Sequence, residues 1–276
     1  PSMGRIASES LAAIFRGKGF HAVAYPPSDE AVLKLGRANT SCKECLPLIL
    51  TTGTLLSYIR DRRREEEILV YFMPTTSGPC RFGQYSVFME DLMKRLEIPN
   101  VAFLSLTSEN GYGGLGGDFK SRAWWGVIVS DALEDIRSMI LANAVNTEDA
   151  MHLFNEELKR ILRELEKGDY AGLEKQIART AERFRGIPMK IPPGRVPTIC
   201  LAGEIFVRRD SLSRQYLTER LAKDGFAALC SPVAEWILYS DYMYAAGLND
   251  EKMSPMERLK FIIKKNIMKR YEKRLK

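Results

Sequence analysis

Residues 68–73, Ile-Leu-Val-Tyr-Phe-Met, are the stretch of this chain that decides its fold. This near-continuous apolar run has the length of a strand and is typical of a parallel sheet that is covered on both faces. A helical pattern follows over residues 83–96, and Val101-Ala-Phe-Leu-Ser-Leu106 is a second apolar strand. Strand, helix and strand in this order predict an α/β protein.

Upstream of this unit, the sequence predicts a helix, a strand and another helix. Residues 8–18 carry apolar side chains at helical spacing, and residues 21–25 have the pattern of a short strand. Ser28 or Asp29 is expected to cap a second helix, which Gly36 would end. The N-terminal part of the chain therefore predicts further α/β structure.

The second half of the chain begins with a long helical region. Residues 124–186 are predicted to be mostly helical, and residues 186–195 contain three prolines and two glycines, which is the composition of a linker. Strands are expected at residues 197–202 and 226–230, with a helix from a cap at Asp210 or Ser211 to residue 223 between them. This is a second βαβ pattern.

Three regions follow from these patterns. We expect an N-terminal α/β lobe with two cysteine-bearing turns at residues 1–123, a helical segment and linker at 124–195, and a second α/β lobe with a basic C-terminal helix at 196–276. Both lobes would hold open, mainly parallel sheets of the flavodoxin or Rossmann type. The second lobe has few strands and looks incomplete, so we expect the chain to belong to a longer protein.

The composition excludes several functional classes. No apolar run approaches the roughly 18 residues of a membrane span, and nothing resembles a signal peptide, so we expect a soluble, cytoplasmic protein without a membrane partner. Five cysteines then indicate a reducing compartment. The net charge of +6 resides in residues 251–276, which hold ten basic and three acidic residues, so a nucleic-acid partner is not indicated.

An apolar stripe runs along this basic tail. Its members recur every four residues: Leu259, Ile263, Ile267, Tyr271 and Leu275. The spacing predicts a terminal helix that packs on the body of the protein. Docking to RNA, a membrane or a partner is the alternative.

The cysteine turns are the main candidate for a functional site. They read Cys42-Lys-Glu-Cys45-Leu-Pro47 and Gly78-Pro-Cys80-Arg-Phe-Gly-Gln-Tyr85. Because both precede predicted helices, the positive helix ends would favour thiolates. Cys42, Cys45 and Cys80 could serve a zinc half-site, a dithiol pair or an iron–sulfur cluster, and three thiolates with one exogenous ligand fit a cluster best.

The remaining candidates are more isolated. Cys200 lies inside a predicted strand and is expected in the core. Cys230 ends a strand at the edge where α/β sheets bind ligands, which makes it a further candidate ligand. His21 and His152 are far apart in sequence, which argues against a histidine site. The glycine-rich loop at residues 111–117 lacks a phosphate-binding motif and favours a mobile loop over a phosphate cradle.

Several strings resemble one known family. The chain is similar to the C-terminal part of large acyl-CoA dehydratase activase-related proteins, which themselves resemble an activase fused to the cluster-binding subunits of 2-hydroxyacyl-CoA dehydratases and benzoyl-CoA reductases. The resemblance covers most of residues 1–240. It is carried by Met3-Gly4, Leu35-Gly36-Arg37, Glu44-Cys45-Leu46-Pro47, Thr51-Thr52-Gly53, the Gly78–Tyr85 string and Gly203-Glu204-Ile205-Phe206-Val207-Arg208.

The resemblance implies an iron–sulfur protein of anaerobic metabolism. Its cysteines would hold a [4Fe–4S]-type cluster between the lobes and pass single electrons, driven by ATP hydrolysis, in acyl-CoA dehydration or reduction. Cys45 and Cys80 match the family's cysteine positions, whereas the position of Cys42 is not fixed as cysteine. An ATP-hydrolysing activase domain or subunit and an acyl-CoA would be the partners, and a homo-oligomer is compatible with this picture.

No ATPase motif is present, so the chain is expected to be an electron-transfer or non-catalytic part of a larger enzyme system. Lys43, Arg81 and Arg208 would tune the cluster potential. Glu204 is a candidate acid/base group, or it pairs with Arg208 or Arg209. Two other functions stay open: a zinc-binding or metal-free structural or regulatory module, and an α/β domain that binds a small molecule through the glycine-rich loop.

Overall fold

The computed structural model describes residues 4–41, 43–75, 80–106, 115–116, 118–246, 248 and 255–275. These residues form a mixed helix-and-strand protein with small parallel sheets, which confirms the α/β class. The elements are α1 (Arg5–Arg16), α2 (Glu30–Ala38), α3 (Leu46–Asp61), β1 (Leu69–Phe72), α4 (Tyr85–Arg95), β2 (Val101–Leu104), α5 (Phe119–Asn143), α6 (Thr147–Lys167), α7 (Tyr170–Arg185), β3 (Thr198–Leu201), α8 (Ile205–Arg209), α9 (Leu217–Lys223), β4 (Ala227–Cys230), α10 (Val233–Ala245) and α11 (Pro255–Leu275).

The first sheet joins β1 and β2 in parallel, with Leu69 opposite Val101 and Phe72 opposite Leu104. Parallel neighbours need a crossover connection, which α4 supplies. One face of the pair packs on α3 and α4, where Tyr71 and Met89 belong to a common apolar core. Both strands were predicted from their apolar runs and are confirmed.

The second sheet joins β3 and β4, also in parallel. Both strands are confirmed, but the helix between them does not start at Asp210 or Ser211. The Asp210 carboxylate accepts hydrogen bonds from the Ser213 backbone N–H (2.8 Å) and hydroxyl (2.7 Å). Gln215 and Tyr216 then have positive φ values of 53° and 54°, which interrupt a right-handed helix. Consequently α9 begins only at Leu217.

The long helix α5 connects the two sheets. It packs against helices α1, α6, α9, α10 and α11 and against strand β4. Ile128, Val129 and Leu133 of this helix belong to the largest apolar core, which also includes Ile14 of α1 and Phe154 of α6. Helix α5 therefore contacts both the N-terminal helix α1 and strand β4 of the second sheet.

Two predictions near the N-terminus were wrong. Residues 21–25 form no strand, because no described strand lies beside them to accept the pairing. Gly36 does not end α2 but lies inside it, and Asp29 is the confirmed cap, accepting from the Val32 N–H. A Cβ on Gly36 would lie 2.0 Å from the Ile49 carbonyl oxygen, so this glycine allows α2 and α3 to approach closely.

The predicted apolar stripe of the tail is buried only in part. Tyr271 and Leu275 pack against the largest core, and the Trp124 indole N–H donates to the Met268 carbonyl (3.0 Å). Leu259, Ile263 and Ile267 are instead exposed, because α11 docks through its second half. None of the described helices is both long and apolar enough to cross a membrane.

Candidate functional site

Cys45 and Cys80 each stand directly before a helix. Cys45 is the N-cap of α3, and Pro47 lies in the first turn of that helix. Cys80 is the N-cap of a 3₁₀ turn at Arg81–Gln84, which continues into α4. The first amides of a helix have no intrahelical acceptor and carry partial positive charge. Both sulfur atoms are thus attached where negative charge is stabilised.

The two cysteine turns lie side by side although some 35 residues separate them in sequence. The Tyr85 hydroxyl donates to Sγ of Cys45 over 3.0 Å. The Arg81 guanidinium lies 3.5 Å from the Lys43 carbonyl oxygen and 3.6 Å from a Glu44 carboxylate oxygen. One hydrogen bond to sulfur and one guanidinium therefore link the start of α3 to the start of α4.

The site is open to solvent on the side of Cys80. The Cys80 side chain is exposed, whereas Cys45 is half-buried and Tyr85 is only 4% exposed. Burial, followed by the hydrogen bond to Cys45, raises the pKa of Tyr85, with smaller contributions from Cys80 and Glu204. The phenol consequently stays protonated and donates.

Glu204 lies between β3 of the second sheet and α8. It follows β3, and its carboxylate accepts from the Val207 N–H (2.8 Å) as the cap of α8. The alternative prediction, an ion pair with Arg208 or Arg209, was wrong, since no such pair occurs in the described part of the chain. The Glu204 carboxylate is thus engaged as a helix cap, which satisfies an amide at the start of α8.

The predicted tuning residues have mainly structural contacts. Arg208 donates to the Gly203 carbonyl (2.6 Å) and the Pro232 carbonyl (3.3 Å), so it links the loops that follow β3 and β4. Lys43 contributes its backbone carbonyl to Arg81. Arg81 is thus the predicted tuning residue whose guanidinium lies between the two cysteine turns.

The prediction that Cys200 lies in the core was wrong, and Cys230 is the more buried of the two cysteines. Cys200 is exposed, because the described residues place no layer over that face of β3. Cys230 is buried, and its thiol donates to the Arg208 carbonyl (3.0 Å). Burial raises the pKa of the Cys230 thiol.

The cysteine sulfur atoms determine which metal centres this site could bind. Cys45 and Cys80 are two sulfur ligands of the kind that iron–sulfur clusters and zinc require. The third predicted ligand, Cys42, lies outside the described residues, and no cluster of three His, Cys, Asp or Glu side chains occurs among those described. In the described structure the Tyr85 hydroxyl is the hydrogen-bond donor directed at the Cys45 sulfur.

The small-molecule alternative has less support. Residues 111–114 and 117 of the glycine-rich loop lie outside the described residues. One hollow in the described structure has a volume of about 640 Å³ and lies at the far end of α4, where Met93, Ile98 and Phe103 line it. It lies at the opposite end of α4 from Tyr85, so it is separate from the cysteine turns.

Sequence reasoning did not single out Tyr85, although it closes the quoted Gly78–Tyr85 string. The available signal was its position as the first residue of α4, five residues after Cys80. Comparisons with protein-family models, curated proteins and solved structures found no match to this chain.

Proposed function

We propose that this chain is an iron–sulfur redox module. Cys45 and Cys80, with Cys42 as the third ligand, would hold a [4Fe–4S]-type cluster between two open, flavodoxin-like lobes. The contact between the two cysteine turns through Tyr85 and Arg81 is the observation that carries this proposal. It supports the proposal because it brings the helix start that carries Cys45 next to the segment that follows Cys80.

The surroundings suit a negatively charged thiolate centre. The start of α3 and the 3₁₀ turn after Cys80 each place partly positive helix amides next to a cysteine. When bound, the cluster would accept and release one electron at a time. In acyl-CoA dehydration or reduction, an ATP-hydrolysing activase domain or subunit would supply that electron, and Glu204 is the candidate acid/base group beside the site.

Anaerobic reconstitution with iron and sulfide tests the proposal. The wild-type chain should develop the broad visible absorption of thiolate-bound iron, and the iron content should fall sharply in Cys45→Ala and in Cys80→Ala. Cys200→Ala is the matched control, because Cys200 is exposed and lies on β3 of the other sheet. That variant should retain the iron and the colour.

Two results would overturn the proposal. The first is a colourless protein that binds one zinc per chain, which would favour the zinc-binding structural module. The second is loss of iron in Cys200→Ala but not in Cys80→Ala, because the ligands would then lie elsewhere.

A further inference from the structure

We infer that Tyr85 is a positioning residue of the thiolate site: its hydroxyl, carried by the first turn of α4, holds Sγ of Cys45 in place and stabilises it as a metal-bound thiolate. The inference deepens the proposed function by adding a residue from outside the cysteine set. It requires only that a thiophilic metal binds at Cys45, whether in a cluster or as a single ion.

The geometry fixes the Tyr85 hydroxyl from several sides. The ring is buried in the core formed by α3, α4 and the first sheet. It also meets the Phe82 ring edge-on, at a centroid distance of 5.4 Å. A buried phenol needs a hydrogen-bond acceptor, and here that acceptor is Sγ of Cys45 at 3.0 Å. The hydroxyl is therefore directed at the sulfur before any metal binds.

A hydrogen bond to sulfur gains strength when the sulfur becomes a thiolate, because charge-assisted hydrogen bonds are stronger than neutral ones. Residues that donate to metal ligands also orient those ligands, and their loss costs roughly 10–100-fold in metal affinity. Removal of the Tyr85 hydroxyl should accordingly weaken metal binding more than it weakens the fold.

Tyr71 provides a matched control within the same core. Its hydroxyl is also buried and donates over 2.9 Å, but to the Thr51 carbonyl oxygen of α3 and not to sulfur. Tyr85→Phe and Tyr71→Phe each delete one buried hydroxyl and keep the ring. A purely structural effect would therefore appear in both variants.

The test is a cadmium titration of the reduced full chain, followed by the ultraviolet thiolate-to-cadmium absorption. All proteins carry Cys200→Ala, so that the exposed thiol does not bind the probe. Tyr85→Phe should bind Cd²⁺ roughly 10–100-fold more weakly than its parent, and its absorption should shift to longer wavelength. Tyr71→Phe should match the parent in both measurements.

The inference is overturned if Tyr85→Phe binds Cd²⁺ as tightly as the parent, if Tyr71→Phe loses as much affinity, or if the parent shows no thiolate–cadmium absorption. Failure of the iron–sulfur proposal is distinguishable. A parent that binds Cd²⁺ through thiolates but never assembles a cluster would refute the cluster and leave the role of Tyr85 supported.

Discussion

Replacement of Asp131 by Asn should remove much of the stability of the chain. Asp131 lies on α5 and is 3% exposed. One carboxylate oxygen accepts from the Arg209 guanidinium and from the Val233 N–H (3.0 Å), and the other accepts from the Ala234 N–H (2.9 Å). This side chain therefore neutralises α8's arginine and caps α10 at the same time.

The expected loss follows from these contacts. Asn cannot neutralise Arg209, which is buried, and its amide would place an N–H₂ group against the helix amides of α10 or against Arg209. Removing one partner of a buried ion pair costs about 3–5 kcal/mol. Since domains are typically stable by about 5–15 kcal/mol, the free energy of unfolding should fall by about a fifth or more.

Urea denaturation followed by circular dichroism measures this loss. Asp91→Asn is the matched control, because Asp91 pairs with Arg95 on the surface of α4 with both side chains more than half exposed, and it should change the unfolding free energy by less than about 1 kcal/mol. Replacing the pair together, as Asp131→Leu with Arg209→Met, should recover only part of the loss, because the N–H groups of Val233 and Ala234 then lack an acceptor. A loss below about 1 kcal/mol in Asp131→Asn would refute the reasoning.

Three further predictions concern packing, thiol reactivity and pH. Gly53→Ala should lower the unfolding free energy by about 1–3 kcal/mol in a urea titration, because a Cβ there would lie 2.1 Å from the Val32 carbonyl oxygen. Iodoacetamide should modify Cys200 well before Cys230, as read by mass spectrometry, because Cys230 is buried and its pKa is raised by burial. Burial also raises the pKa of Asp210, so its contribution to stability is greatest below the ordinary carboxyl pKa of about 4 and is lost as the pH rises through the folded pKa. Asp210→Asn should therefore show a smaller fall in unfolding free energy between about pH 4 and pH 7.

These predictions have distinct controls. Gly194→Ala should be tolerated, because no atom lies within 4 Å of a Cβ built there, so equal losses at Gly53 and Gly194 would contradict the packing argument. Faster alkylation of Cys230 than of Cys200 would contradict the exposures. An unchanged or steeper pH dependence in Asp210→Asn would contradict the sign of the shift.

The sequence predicted the elements whose signals are local. The apolar runs of β1 and β2 and the Asp29 cap of α2 each depend on a few neighbouring residues, and all are confirmed. The predictions that failed depended on distant partners. Gly36 was interpreted as a helix stop because the local sequence does not show that this residue packs against α3.

The candidate site shows the same limit. Sequence alone identified both cysteine turns, but not that Tyr85 and Arg81 join them, because those contacts form only when α4 folds back beside α3. Cys200 was expected in the core on the apolar character of its strand. Its exposure depends on which face of β3 another layer covers, and no local pattern carries that information.

The packing of α1 on α5 has a consequence for synthesis on the ribosome. Ile14 and Phe15 of α1 are covered by residues of α5, whose last residue, Asn143, follows the end of α1 by about 130 residues. At translation rates of about 5–20 residues per second, synthesis of α5 is complete roughly 6–25 s after synthesis of α1. During that interval the apolar face of α1 is not covered by α5.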